Sequence, residues 1–519
     1  MERGQRLTGL PGAVVGNSWH VAAIGLFSAV YLYLNIFALH GTPYLLGGDQ
    51  VYLWTGAEQI LRGQVIYRDF FQYTTPGADL VFAAFFRVFG ASIWVTNLVV
   101  LVLGVVTACV GFSVSRKLMR VEMAAICTVL FLVLIYGKAL NATHHWFAAL
   151  LILIAVGVSM ENLSTKTIAV SGALLGLAAF FNQAHGGAAL IGFAVFLLCS
   201  GVRIGRTRID IARMLAVLFL FFLLALTASM AYYVATAGFE KVWYCLVTDV
   251  FEYVGKYSSR AAGLPYLTST PARVSPAASC LAVYILLPIV YGFSLWRCWR
   301  FRKVPTFPCD RIALLSMVGF CLLLEVGVSV NWLRLFGVSF TGIILAVWIL
   351  DDLLAFRRLL APVASLAIGY VAIHQVAAKQ AALSVNGEAP GGRFAASSQV
   401  CEKISWLAQH TREGELFFQA GWPGVYLPLK VRNPIYFPTV TRPDGVRDRD
   451  VAAIIQQMRV SRVPYVLWTH ALDENCEFAR CNDYLFDLRA YLVSSYVRVR
   501  TFDDGDVLWM RLGDPVARR

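Results

Sequence analysis

Apolar runs of about 20 residues, repeated along most of the chain and separated by short basic loops, limit the fold more than any other feature. A run of that length lets an α-helix cross the hydrocarbon of a bilayer while satisfying every backbone N–H and C=O within itself. Read by length, such runs place helices near residues 19–39, 92–113, 121–137, 146–160, 167–181, 186–200, 214–237, 277–296, 312–330, 335–350 and 359–377. The first, from Trp19 to Leu39, exceeds the roughly 7–15-residue core of a signal peptide, and no small-x-small cleavage site follows, so it reads as a retained helix. Over 519 residues only 14% are charged and 58% are hydrophobic, too little charge for a set of soluble domains. The expectation is a polytopic α-helical membrane protein with about eleven transmembrane helices.

A net charge of +13 raises the question of nucleic acid, and the positions of the charges answer it. The basic residues sit in loops between apolar runs, not in one patch interleaved with aromatics. With the N-terminus inside, 17 Lys and Arg fall in the inner loops and 9 in the longer outer ones, as the positive-inside rule requires. The charge therefore sets topology, with a cytoplasmic N-terminus and an extracytoplasmic C-terminal part, and nucleic acid is excluded as a partner.

Two outer loops are long enough to hold structure. In the first, 41–91, Val51, Trp54, Ala57 and Leu61 recur at helical spacing, and Asp79 to Arg87 forms a second short apolar piece; both read as helices lying in the interface. Glu58 falls on the solvated face of the first. The second loop, Gly238 to Pro276, is aromatic and mixed in charge. Past residue 377 the composition turns polar. Residues 378–392 read as a linker, and 393–519 as a small α/β domain. Its helices are expected near 397–410, 448–459 and 483–492, and its strands at 415–419, 464–468 and 506–511. Of eleven cysteines, eight lie in or beside apolar runs; Cys476 and Cys481 are placed to form a short-loop disulfide in an oxidising compartment.

The stretch Gly47-Gly48-Asp49-Gln50-Val51-Tyr52, continuing through Tyr67-Arg68-Asp69-Phe70 to Thr75-Pro76-Gly77, resembles the first outer loop of the GT-C superfamily, polyprenyl-phosphate-sugar-dependent glycosyltransferases. The likeness is to the bacterial branch of protein mannosyltransferase and lipid A aminoarabinose transferase type. The resemblance implies residues 1–377 as a transmembrane catalytic domain, an acidic residue in this loop, two juxtamembrane helices, a cavity in the outer half of the membrane, and a C-terminal soluble domain. Where many members carry two adjacent acids, this chain has Asp49 followed by Gln50.

The chemistry asks for little. A sugar on polyprenyl phosphate already has a good leaving group, so transfer needs one general base for the acceptor hydroxyl and cations for the phosphate. Asp49 is the expected base, with an N-cap as its competing structural reading. Asp69, Arg68 and Tyr67 are expected near the substrate, although Asp69 beside Arg68 also fits a local ion pair. The turn Lys138 to Trp146 faces the same side as Asp49, and Lys138, His144 and His145 are candidates for donor phosphate or acceptor; adjacent histidines point to different helix faces and make a poor metal pair. Arg334 suits a grip on lipid phosphate, with Lys256 and Arg260 as weaker candidates for the same task. Asn182, Gln183 and His185 read as cap residues, and Glu325 inside a span must find a partner or a cavity. No metal or other cofactor is required.

The expected function is transfer of a sugar from a polyprenyl-phosphate carrier to an extracytoplasmic glycolipid, polysaccharide or protein, in the cytoplasmic membrane of a bacterium. Rival readings are a lipid-linked oligosaccharide ligase or polymerase of related fold, and a transporter. A transporter would carry inverted repeats and charged midplane breaks, whereas the polar residues here lie mostly in outer loops.

Overall fold

The computed structural model describes residues 18–38, 40–256, 274–327, 332–353, 357–441, 445–473 and 476–513. Every apolar segment expected above falls on a helix. α1 (Ser18–Ile36) is followed by the short α2 (Gln50–Leu61) and α3 (Gly77–Phe89), then by α4 (Ile93–Ser115). α5 (Val121–Phe131) runs on through a π turn at Leu132–Tyr136. Next come α6 (His144–Ser159), α7 (Thr165–Phe181), α8 (Gln183–Arg203) and α9 (Arg208–Ala237). The second outer loop contributes α10 (Phe239–Trp243) and α11 (Asp249–Lys256), after which α12 (Val274–Arg300) and α13 (Cys309–Val326) return to the bundle. The short α14 (Trp332–Val338) meets α15 (Phe340–Leu353) at a bend of 61°, and α16 (Arg357–Ala382) closes the set.

Among the described residues, α1, α4, α8 and α9 are each long and apolar enough to cross a membrane alone, and α14 with α15 makes a bent fifth. The outer face of α9 is bare, with Phe219, Leu220, Leu223 and Leu224 all exposed, a surface that suits lipid and not water. Packing inside the bundle follows membrane rules. A Cβ at Gly172 or Gly176 of α7 would stand 2.4 Å from Leu218 O or 2.3 Å from Phe222 O, so only glycine lets α9 approach so closely.

The C-terminal part begins with an antiparallel hairpin, β1 (Val385–Ala389) and β2 (Gly392–Ala396). Residues 378–392, expected as a linker, are thus the end of α16 and most of this hairpin. Pro390-Gly391-Gly392 is turn chemistry, with Gly392 at φ 113°, and not a flexible spacer. Then follow α17 (Ser398–His410), β3 (Phe417–Gln419), α18 (Tyr426–Leu429), α19 (Val451–Val460), β4 (Tyr465–Trp468), α20 (Phe486–Ser495), β5 (Tyr496–Thr501) and β6 (Val507–Arg511). The four-stranded sheet has the order β3-β4-β6-β5, parallel between β3 and β4 and antiparallel elsewhere. β5 has no counterpart among the expected strands. A disulfide joins Cys476 to Cys481, with Cα atoms 5.4 Å apart.

This part is fastened to the first outer loop at several points. Pro43 and Leu45 pair with Ala395 of β2 through backbone bonds of 2.8 and 3.0 Å. Ile66, Tyr67, Phe70 and Phe71 share one hydrophobic core with Phe418, Val466, Trp468 and Trp509. α2, expected to lie half-solvated in the interface, is instead buried from Gln50 to Gln59, because the C-terminal part covers its outer side. Glu58, expected on a solvated face, is 5% exposed and pairs with Lys430 at 3.0 Å.

Candidate active site

The bracket that presents Asp49 is built from backbone. Gly48 turns the chain with φ 81°, and the Gln50 carboxamide then works in both directions. Its Nε2 donates to Gly47 O at 3.1 Å, and its Oε1 accepts from Ala142 N at 3.0 Å. A second carboxylate at this position could accept from Ala142 N but could not donate to Gly47 O, so only the amide makes both bonds at once. Asp49 occupies the N-cap position of α2 without a side-chain cap bond, and it is partly exposed. The capping reading thus holds for its backbone and not for its carboxylate.

Beyond Ala142 the turn leads into α6, whose first residues His144 and His145 are each 7% exposed. Their rings, expected to diverge, lie 4.1 Å apart between centroids. Four helix ends meet here. Asn182 caps α8 by accepting from His185 N at 3.0 Å and also donates from Nδ2 to His145 Nδ1 at 3.1 Å. His145 Nδ1 lies 3.2 Å from His185 Nε2. His185 Nδ1 lies 2.9 Å from Glu325 Oε2 on α13, an approach without hydrogen-bond geometry. Arg334, on α14, is within electrostatic reach of His144, His145 and Glu325. A Cβ on Gly337 of α14 would meet His145 Cβ at 3.3 Å and His185 Nε2 at 3.6 Å, so glycine brings that helix onto the cluster. His144 Nδ1 is buried with no hydrogen-bond partner. It stands at a helix N-terminus, where first-turn N–H groups lack intrahelical acceptors and favour anions.

No family model matches the sequence, and no curated protein matches it in sequence. In fold the agreement spans the chain. ArnT from Cupriavidus metallidurans, bound to undecaprenyl phosphate, aligns with TM-score 0.56 at 14% identity, over 97% of this chain and 99% of that one. Its apo state aligns with TM-score 0.55 at 14% identity, over 94% and 97%. The archaeal oligosaccharyltransferase AglB from Archaeoglobus fulgidus, in complex with an inhibitory peptide and a dolichol-phosphate, gives 0.54 at 12% identity, over 96% and 75%. The chain has the GT-C fold.

On that GT-C frame the remaining candidates separate. Arg68 and Asp69 form a two-bonded pair at 2.9 and 2.8 Å, and Asp69 Oδ2 also accepts from Val65 N at 2.7 Å. The Arg68 hydrogen bond holds the Asp69 carboxyl below the usual carboxylate range, and the pair shapes its own turn. Tyr67 is wholly buried at φ 70°; its hydroxyl donates to Thr74 O at 2.8 Å and its carbonyl accepts from Tyr436 at 2.9 Å. It is a strut of the loop and lines no open path. Lys138 is exposed in the turn. The side chain of Lys256, and Arg260 entirely, lie outside the described residues.

Three further groups escape a reading by sequence. Asp79, at the start of α3, is fully buried with Gln72 Nε2 at 3.0 and 3.1 Å, and burial pushes its carboxyl up to about 8. Trp422, 40% exposed, lies edge-on to Tyr52 at 4.9 Å, one helical turn from Asp49. Arg447 pairs with Asp249 and approaches Glu252 at 3.8 Å, joining the second outer loop to the C-terminal part. Among the described residues no three His, Cys, Asp or Glu side chains converge as metal ligands would.

Proposed function

We propose that this protein is a membrane glycosyltransferase that moves a sugar from a polyprenyl-phosphate carrier to an acceptor hydroxyl outside the cytoplasmic membrane of a bacterium. The observation that carries the reading is a juxtaposition on the GT-C fold. A partly exposed Asp49 at the start of α2 is tied through Gln50 and Ala142 to a helix end, where a buried His144 nitrogen without a partner lies near Arg334. The undecaprenyl phosphate bound by ArnT and the dolichol-phosphate bound by AglB support a carrier of this chemistry.

In this mechanism the donor phosphate rests at the N-terminus of α6, with Arg334 supplying charge and His144 a hydrogen bond. Asp49 removes the acceptor proton as the acceptor oxygen attacks the anomeric carbon. The bond from that carbon to the phosphate oxygen breaks, and its electron pair leaves with the phosphate. Polyprenyl phosphate departs unprotonated, and the configuration inverts. The topology that goes with the reading has eleven spans through α16, the N-terminus inside, and an outer α/β domain from about residue 383 that helps select a glycolipid, polysaccharide or protein acceptor.

The test is release of polyprenyl phosphate by purified protein from a panel of polyprenyl-phosphate sugars, beside Asp49→Asn. Loss of about 10²–10⁴-fold in turnover, with donor binding intact, is the expected result for a missing general base. Equal release by the two proteins would remove Asp49 from the chemistry.

A further inference from the structure

Trp422 stands where the C-terminal part comes down on α2. It lies in the loop between β3 and α18, exposed although Gly421 and Pro423 on either side of it are buried. The loop is held so that it cannot withdraw the ring. At its start Gln419 donates its backbone N–H to the Tyr426 hydroxyl at 2.9 Å, and its Oε1 accepts from Val425 N at 3.1 Å, which bonds the two ends of the loop to each other. Gly424 N donates to Trp422 O at 2.8 Å, and Ala420 N donates to Leu467 O of β4 at 2.9 Å. A Cβ on Gly421 would stand 2.1 Å from Thr469 Oγ1, so only glycine lets the loop lie against the residue that follows β4. Because β3 and β4 are parallel, their carboxyl ends share this edge, the edge at which open α/β sheets hold ligands.

The indole meets Tyr52 with ring centroids 4.9 Å apart and planes at 82°. Tyr52 comes one helical turn after Asp49, whose carbonyl accepts from Tyr52 N at 3.3 Å, and this spacing puts both residues on one side of α2. Tyr52 is buried, while the indole over it keeps 40% of its surface open. The carboxylate assigned as base and a rigid aromatic ring thus stand on the same side of one helix, although they come from opposite ends of the chain.

We propose that Trp422 is a specificity-determining residue for the acceptor, a platform on which a pyranose ring of a glycan acceptor stacks while one of its hydroxyls meets Asp49; this deepens the glycosyltransferase reading above and rests on it. One face of a pyranose is a set of C–H bonds, and its rim carries the hydroxyls. An indole offers an electron-rich apolar face to the first and leaves the second free to reach the base. A serine or threonine side chain has no such face. Trp422 takes no part in bond making; it sets how much acceptor is needed and not how fast the bound complex reacts.

The experiment follows sugar transfer by the purified full chain, from its polyprenyl-phosphate sugar donor, to methyl pyranosides of glucose, galactose and mannose and to a Ser/Thr peptide. Wild type is expected to use at least one pyranoside. Trp422→Ala is expected to raise the KM for that pyranoside about tenfold, with kcat, undecaprenyl phosphate affinity and melting temperature unchanged. Trp422→Phe keeps a ring and should recover most of the loss. An acceptor KM in Trp422→Ala equal to that of wild type overturns the proposal, as does wild-type release of polyprenyl phosphate with no transfer to any pyranoside. Failure of wild type to release polyprenyl phosphate from any donor overturns the glycosyltransferase reading beneath it, a result distinct from both.

Discussion

Glu58 and Glu325 are both glutamates held away from water with a cation beside them, yet their surroundings differ in kind. Glu58, on α2, meets Lys430 at 3.0 Å, and the same ammonium donates to Ala91 O. One anion faces one cation with the backbone satisfied as well, and the set is closed. Glu325 is shared between His185 and Arg334, and its cluster ends on a His144 nitrogen with no partner. A closed set of charges serves as a joint, because nothing is gained by admitting a ligand. An incomplete set at a helix N-terminus is where we place the donor phosphate. The seam between α2 and the C-terminal part is of the first kind, and the meeting of α6, α8, α13 and α14 is of the second.

The sharpest separation of the two regions comes from Asp49→Asn. Turnover falls by about 10²–10⁴-fold while thermal stability and undecaprenyl phosphate binding stay near wild type. A large drop in stability would move Asp49 to the structural side. Next in size is Lys430→Met, which leaves Glu58 buried without a counter-charge and is expected to cost about 3–5 kcal/mol. Limited proteolysis should then cut first between α16 and the C-terminal part. An unchanged melting curve would show the seam to be unimportant.

Asp79 gives a smaller effect with a defined sign. Its carboxyl is raised from 3.8 to about 8 by burial, so the folded chain keeps a proton that the unfolded chain has released. Stability therefore falls as pH rises from about 4 to about 8. Asp79→Asn, neutral throughout, escapes that fall and is expected to be the more stable of the two at the top of the window. Parallel pH profiles of melting temperature for the two proteins would contradict the shift. Smallest is Arg68→Ala. The side chain is 45% exposed and its ion pair is screened by water, so turnover should stay within about twofold of wild type. A clear rise in donor KM would return Arg68 to the substrate site.

Much of this arrangement can be read from the chain, because bilayer-length apolar runs announce helices whatever they pack against. Asp49, His144, His145 and Arg334 also stand out singly, as polar residues at the ends of such runs. Their grouping with His185 and Glu325 is not readable in the same way. The members come from four helices, and each alone looks like a cap or a misplaced charge. β5 was hidden because it is an edge strand, with Val497 and Val499 exposed at 44% and 40%, so its alternation does not separate a core face from a polar one. The hairpin β1–β2 was hidden because Pro-Gly-Gly marks a tight turn and a loose linker with the same letters. Glu58 looked solvated because the cover over α2 comes from the far end of the chain.

The pairing of Pro43 and Leu45 with Ala395 carries a consequence for biosynthesis. The loop that holds Asp49 leaves the ribosome early, while the strand that completes its backbone bonds is among the later segments made. Until then the loop and α2 lack their cover, and contacts so distant in sequence form last. A nascent or truncated chain with its early helices already inserted would therefore hold an unfinished site. Competence to act would arrive only once β2 and the sheet that follows it have been made, a form of quality control written into the order of synthesis.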